Sequence, residues 1–191
     1  MTRGVAFFDF DGTLVKGDSL IPYLGYAAGW PRTLFSFARA LLKPDKNQMD
    51  WRTGVKAALL RHTLKGIPYE QARAAASKLA PLRMWKEVAH KALLRHKADG
   101  YTIVVATGAL ELYIHQLLAD LPVDLVIATE MEVKDGILTG AIQGGNCVRQ
   151  EKARRVEAYL KTHGPFDVSY GYGNAPHDLP MLALLDHKTV I

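Results

Sequence analysis

The stretch Val5-Ala6-Phe7-Phe8-Asp9-Phe10-Asp11-Gly12-Thr13-Leu14-Val15 constrains the fold of this chain more than any other segment. An apolar, aromatic-rich run ends in two carboxylates spaced i, i+2, and Gly-Thr follows at once. The run reads as a buried strand, because it is short and bounded by a glycine turn. Asp9 falls where the strand runs out, and Asp11 on the loop beyond. Open α/β sheets bind ligands in the crevice at the carboxyl ends of their strands. Two carboxylates there repel each other and lose hydration unless a cation or a catalytic task compensates. The plain alternative is a solvated acidic turn that caps a strand.

The rest of the chain changes character twice. Residues 17–88 carry no strong strand signal. Leu34, Phe37, Ala38 and Leu41 recur at helical spacing, as do Val55, Ala58 and Leu59, and then Ala72, Ala75, Ala76 and Leu79. Lys43-Pro44-Asp45-Lys46-Asn47 and Lys65-Gly66-Ile67-Pro68 break these helices. A small helical bundle inserted after the first strand is therefore expected over 17–88. From residue 89 the pattern alternates. A helix carries Val88, Ala89, Ala92 and Leu93, and strands are expected over 101–106, 124–128 and 168–172, with a last one from 188. Helices are expected over 110–118, 151–160 and 178–185. Asp135-Gly136 between apolar flanks predicts a hairpin over 131–140. Strands alternating with helices imply an α/β fold with a doubly wound, mainly parallel sheet, built from residues 1–16 and 89–191.

Charge separates the same two parts. The net charge of +5 hides a basic middle: residues 20–88 hold 12 Lys/Arg against 4 Asp/Glu. A basic module attracts anions, whether phosphorylated small molecules, acidic lipid surfaces or nucleic acid. The bland alternative is a solvated basic helical surface. No recognised nucleic-acid motif accompanies the charge, so nucleic acid is not an expected partner. The single cysteine, Cys147, excludes an internal disulfide framework and fits a reducing, cytoplasmic compartment. Asp9 and Asp11 stand where a signal peptide needs its apolar region, so no export signal is expected. The longest uncharged apolar stretch, 19–31, is broken by Pro22, Gly25 and Gly29 and is too short to span a bilayer. Leu20, Tyr23, Leu24, Trp30, Phe35 and Phe37 give the insert an apolar, aromatic start. They form either its own core, which is the plainer expectation, or an interfacial surface for peripheral membrane contact. Burial of these side chains discriminates the two.

Three further sites fall after predicted strands or at helix starts, where a parallel sheet gathers them at one edge. Thr107-Gly108 offers a hydroxyl and a glycine amide that can hold a phosphate oxygen at a helix N-terminus, or simply cap that helix. Lys152 lies in the first turn of its helix, where a cation gains nothing from the helix dipole. A ligand would explain it, as would a charged face shared with Glu151, Arg154 and Arg155. Gly173-Asn174-Ala175-Pro176-His177-Asp178 offers an amide oxygen and a carboxylate, or a turn with a helix cap.

Together these residues resemble the haloacid dehalogenase superfamily of phosphohydrolases, in its phosphoserine-phosphatase-like branch. Asp9-Phe10-Asp11-Gly12-Thr13 looks like the first motif, and Thr107, Lys152 and Asn174 to Asp178 look like the other three, in order. The insert resembles that branch's type 1 helical cap, and the Asp-Gly hairpin is also similar. The resemblance implies a phosphomonoester hydrolase acting on a small phosphorylated metabolite such as phosphoserine. Asp9 would be the nucleophile that forms an aspartyl-phosphate. Asp11 would be the general acid and base. Thr107, Gly108 and Lys152 would hold the phosphoryl oxygens. Mg2+ would sit among Asp9, the Asp11 carbonyl and Asn174, with Asp178 acting directly or through a water. The fourth motif usually begins Gly-Asp, and here it is Gly173-Asn174, which implies weaker metal binding. Two alternatives follow: a lipid-phosphate phosphatase at the membrane surface, and a catalytically impaired protein that binds phosphorylated ligands. Asp18 falls near where phosphoserine phosphatases read the substrate's amino group, yet Asp18-Ser19 before an apolar run is also a plain helix cap. Arg52, Lys56 and Arg61 are substrate-selecting candidates by charge alone.

Overall fold

The computed structural model describes residues 3–48 and 50–191. Met1 and Thr2, which open the expected core range, and Met49, within the expected helical range, lie outside the described residues. The first strand, β1 (Gly4–Phe8), is buried at every position. Its alternating side chains feed two cores, as the period of a strand requires. Ala6 and Phe8 point into the larger one, shared with the helical insert, and Val5 and Phe7 into the smaller. Phe8 stacks on Tyr172 with ring centroids 4.5 Å apart, and Phe7 meets Tyr159 edge-on at 5.8 Å. Burying one such side chain contributes about 1.5–3 kcal/mol.

After β1 come α1 (Leu20–Ala28), α2 (Trp30–Leu42), α3 (Trp51–Leu64), α4 (Tyr69–Ala74), α5 (Ala76–Leu79) and a 3-10 turn, with no strand among the described residues of this segment. The two connections into the insert pair with each other. Lys16 N–H donates to the Met84 carbonyl at 2.8 Å, and Lys86 N–H to the Leu14 carbonyl at 2.8 Å. The paired residues fall within 14–16 and 84–86, against boundaries expected at 16/17 and 88/89. Leu24, Leu60 and Leu64 of the insert share one apolar cluster with Phe8 and Phe10, so the insert's core is continuous with one face of the sheet.

The chain then alternates: α6 (Glu87–Ala98), β2 (Thr102–Leu110), α7 (Glu111–Leu117), β3 (Leu125–Lys134), β4 (Ile137–Gln143), α8 (Arg149–His163), β5 (Val168–Gly173), α9 (Leu179–Leu182) and β6 (His187–Val190). The six strands lie in the order β4-β3-β2-β1-β5-β6. All neighbours are parallel except β3 and β4, which form an antiparallel hairpin. The sheet is α/β and mainly parallel, as expected. Its order reverses between β1 and β5, and ligands of such sheets bind at that switch point, outside the strands' carboxyl ends.

Three expectations need correction. The strand expected over 101–106 runs on to Leu110 through an irregularity against β3, so Thr107-Gly108 lies in a bulged strand and not at a helix start. The segments expected as separate, 124–128 and the first arm of the hairpin, are one continuous strand, β3. The apolar start of the insert divides. Tyr23 and Leu24 are buried, while Trp30, Leu34, Phe35, Phe37, Leu41 and Leu42 are exposed. α2 packs instead through Thr33, Ser36 and Ala40. The Asp135-Gly136 turn forms as its composition requires, with φ of 51° and 75°.

Candidate active site

Asp9 leaves the end of β1 with its N–H donated to the Tyr172 carbonyl at 2.9 Å, which ties it to β5. The next residues close a tight turn, in which the Phe10 carbonyl accepts from the N–H groups of Thr13, Leu14 and Val15. That turn brings Asp9, Asp11 and Thr13 together. Gly12 adopts φ +75°, and a Cβ on it would lie 3.2 Å from Asn174 Nδ2. Glycine therefore serves both the backbone and the close approach.

Asp9 is buried. Its Oδ2 accepts from Thr13 Oγ1 at 3.0 Å and from Asn174 Nδ2 at 3.3 Å, and its Oδ1 accepts from Lys152 Nζ at 2.7 Å. The Lys152 ammonium also donates to Asp178 Oδ1 at 2.5 Å. Lys152 thus serves two buried carboxyl groups at once. Burial pushes the Asp9 carboxyl above its ordinary value, Lys152 opposes this, and Asp178 adds to it. For Lys152, burial works against the charge, but Asp9 and Asp178 outweigh it and hold the ammonium firmly protonated.

Asp11 occupies a different environment. Its Oδ1 accepts from Ser19 N–H at 3.0 Å and its Oδ2 from Ser19 Oγ at 2.9 Å, and that hydroxyl also contacts the Tyr113 hydroxyl at 2.9 Å. Burial, and then the neighbouring charges of Asp18 and Asp9, push Asp11 up to about 7 against the opposing Ser19 hydrogen bonds. Asp18 lines the same cavity and is exposed. Its Oδ1 accepts the Leu20 N–H at 2.9 Å, so it satisfies one of the unpaired donors at the start of α1.

The remaining candidates meet Asp9 and Asp11 at a cavity of about 310 Å³. Thr107 is buried, with Oγ1 accepting the Ala109 N–H at 3.0 Å. Gly108 lies so close to α8 that a Cβ would meet Val148 Cγ1 at 2.7 Å. Asn174 begins the turn after β5. Its N–H donates to Asp178 Oδ2 at 2.8 Å, and its Nδ2 donates to the Asp11 carbonyl at 3.1 Å as well as to Asp9. Both Asp178 oxygens are therefore engaged, one by Lys152 and one by the Asn174 backbone. Turning the Asn174 amide over would present Oδ1 where Nδ2 now lies. Asp9 Oδ2, the Asp11 carbonyl and Asn174 Oδ1 would then converge as three hard oxygen donors with one carboxylate, a set that suits Mg2+ completed by phosphate and water. Among the described residues, no three His, Cys, Asp or Glu side chains are grouped to hold a metal; this set instead uses a carbonyl and an amide.

The charge candidates separate. Lys56 and Arg52 line the cavity, while Arg61 pairs with Asp45 away from it. Lys56 Nζ donates to the Gly108 carbonyl at 2.6 Å and to Asn146 Oδ1 at 2.7 Å. Burial lowers it to about 8, against the raising influence of Asp18 and Asp11. Sequence reasoning missed Arg149, His177, Tyr113 and Ser19. Arg149 Nε lies 3.3 Å from His177 Nδ1, and Arg52 Nη1 lies 3.3 Å from His177 Nε2. Arg149 holds φ +50°, and its Nη1 donates to Asp50 Oδ2 at 2.5 Å. His177 lay within the Gly173–Asp178 turn, which was its one available signal. Arg149 had none.

A family model for haloacid dehalogenase-like hydrolases matches residues 6–183, and the chain belongs to that family. It is a phosphatase of that family. Among curated relatives, protein CicA of Caulobacter vibrioides is 33% identical over 189 residues, covering 95% of this chain and 82% of that protein. The phosphoserine phosphatase of Methanocaldococcus jannaschii is 25% identical over 182 residues, covering 94% and 81%. A solved protein of unknown function from Bordetella pertussis Tohama I superposes with a TM-score of 0.82 at 23% identity, over 100% of this chain and 90% of that one. A phospho-aspartyl intermediate analogue of phosphoserine phosphatase superposes with a TM-score of 0.68 at 22% identity, over 100% and 87%. These two likenesses concern the fold.

Proposed function

We propose that this chain is a Mg2+-dependent phosphomonoester hydrolase that works through an aspartyl-phosphate on Asp9. The observation that carries the reading is the contrast between two carboxyls two residues apart. Burial pushes both up, but Asp9 is ion-paired to Lys152, which opposes the push, while Asp11 is hydrogen-bonded to Ser19 and is pushed up to about 7. Paired carboxyls in unlike environments divide into distinct roles. An Asp9 oxygen forms a bond to phosphorus as the ester P–O bond breaks, and Asp11 gives its proton to the leaving alkoxide. Asp11 then takes a proton from water as that water attacks phosphorus, which releases phosphate and restores Asp9. Lys152, Thr107 and the Gly108 amide hold the phosphoryl oxygens. Asp9, the Asp11 carbonyl and Asn174 would hold Mg2+, which when bound would supply positive charge to the phosphoryl group. The helical segment over 17–88 acts as a cap that limits the substrate to a small phosphate ester such as phosphoserine, the substrate that several relatives' names carry. Cys147, a buried free thiol, fits a cytoplasmic setting.

The test is phosphate release from a panel of phosphomonoesters, with and without Mg2+, for wild type and Asp9→Asn. Turnover should require Mg2+, and kcat should fall by about three orders of magnitude or more in the variant. Turnover that persists in Asp9→Asn would refute the assignment.

A further inference from the structure

α2 presents its apolar side to solvent. Leu34 is 60% exposed, Phe35 69% and Leu42 83%, and Trp30, Phe37 and Leu41 are exposed beside them. At 3.6 residues per turn, Trp30, Leu34, Phe37 and Leu41 follow one line along the helix, and Phe35, Ala38 and Leu42 lie on the adjoining line. The arc is continuous and runs the length of a helix about 18 Å long. Arg32, Arg39 and Lys43 form a third line that borders it. The buried side is the small and polar one, Thr33, Ser36 and Ala40, inverted from a helix that seats itself in a core. Trp51 at the start of α3 is exposed as well, and the next residue, Arg52, lines the cavity that holds Asp9 and Asp11.

Charge decides what covers this arc. No Asp or Glu occurs from residue 19 to residue 44. Arg39, Lys43 and Lys46 are exposed, and none of them makes an ion pair among the described residues. A second copy of the chain would bring two such basic borders together with no acid to offset them. No helix among the described residues is long and apolar enough to cross a membrane, so contact with lipid would lie along the surface.

We infer that the outer face of α2 is a peripheral docking surface for anionic lipid bilayers. Trp30, Leu34, Phe35, Leu41 and Leu42 enter the boundary between headgroups and acyl chains, and Arg39 and Lys43 pair with lipid phosphates. This inference goes beyond the phosphatase reading and is tested without turnover.

The full chain is sedimented with vesicles of phosphatidylcholine alone and of phosphatidylcholine mixed with phosphatidylglycerol. Wild type should pellet with the mixed vesicles and much less with the zwitterionic ones. Phe35→Glu combined with Leu42→Glu changes two exposed side chains, so thermal melting should be unchanged while vesicle affinity falls at least tenfold. Arg39→Ala with Lys43→Ala should reduce binding of mixed vesicles to the zwitterionic level. The inference is overturned if wild type stays in the supernatant with both vesicles, or if the double glutamate variant binds as wild type does. It is also overturned if wild type is a dimer that the same variant dissociates, because a second copy would then cover the face.

Discussion

Asn174 stands where the family's fourth motif usually has a carboxylate, and its amide donates to the Asp9 carboxylate and to the Asp11 carbonyl. On the proposed reading, an amide oxygen turned toward Mg2+ would bring no charge, and the cation would be held chiefly by Asp9 and by substrate phosphate. Asn174→Asp should therefore lower the Mg2+ concentration for half-maximal activity by about tenfold, the equivalent of about 1.4 kcal/mol. A Mg2+ titration of phosphate release measures this, and an unchanged or raised midpoint would place the metal away from residue 174. Asp9 and Asp11 stood out within one local motif, whereas Thr107, Lys152 and Asn174 each had a plainer local reading and were singled out only by the family resemblance of the segments in order; the fold brings all five to one cavity. Ser19 was legible only as a helix cap, but its hydroxyl binds Asp11, eight residues back. Arg149 and His177 escaped notice because their partners, Asp50 and Arg52, lie far off along the chain and meet them only across the folded site.

The β3–β4 hairpin does more than edge the sheet; it clasps the helical insert. Gly66 N–H donates to the Leu138 carbonyl and Tyr69 N–H to the Gly136 carbonyl, each at 2.9 Å, and Leu138 N–H returns to the Ile67 carbonyl at 2.9 Å. Gly140 sits against α3 with φ +83°, and a Cβ there would meet Arg61 Cα at 2.8 Å and its carbonyl at 2.9 Å. Gly140→Ala combines backbone strain with a clash between backbones, so it should destabilise by about 2–3 kcal/mol. A denaturant melt checks it; a change below about 0.5 kcal/mol would mean the insert is not held there. Element types were largely readable from periodicity, and the Asp-Gly turn from its chemistry. The fusion of two expected strands into β3 was not, because the pattern does not say whether an apolar run continues across Thr129-Glu130. The outward face of α2 was not readable either. Helical spacing identifies an apolar stripe but not its direction, and here Thr33, Ser36 and Ala40 allow closer packing than the aromatics would.

Across the whole molecule, the sheet and the insert share one continuous apolar cluster, while the candidate site residues come from three separate strands and the turns after them. β1 supplies Asp9 and Asp11, β2 supplies Thr107 and Gly108, and the turn after β5 supplies Asn174 and Asp178. α8 drives Lys152 into the gap between Asp9 and Asp178. The basic insert stands beside this edge, with Arg52 and Lys56 lining the same cavity as Asp9 and Lys152 and its apolar helix α2 turned outward. The proposed passage of the phosphoryl group through Asp9 can be measured directly. The enzyme turning over a phosphomonoester with Mg2+ is quenched in acid, digested with trypsin, and the peptide spanning 4–16 is weighed and fragmented. A fraction of this peptide should be heavier by one phosphoryl group, with the group on Asp9 and absent from Asp9→Asn. A phosphoryl group on Asp11 or elsewhere, or an unmodified peptide throughout active turnover, would contradict it.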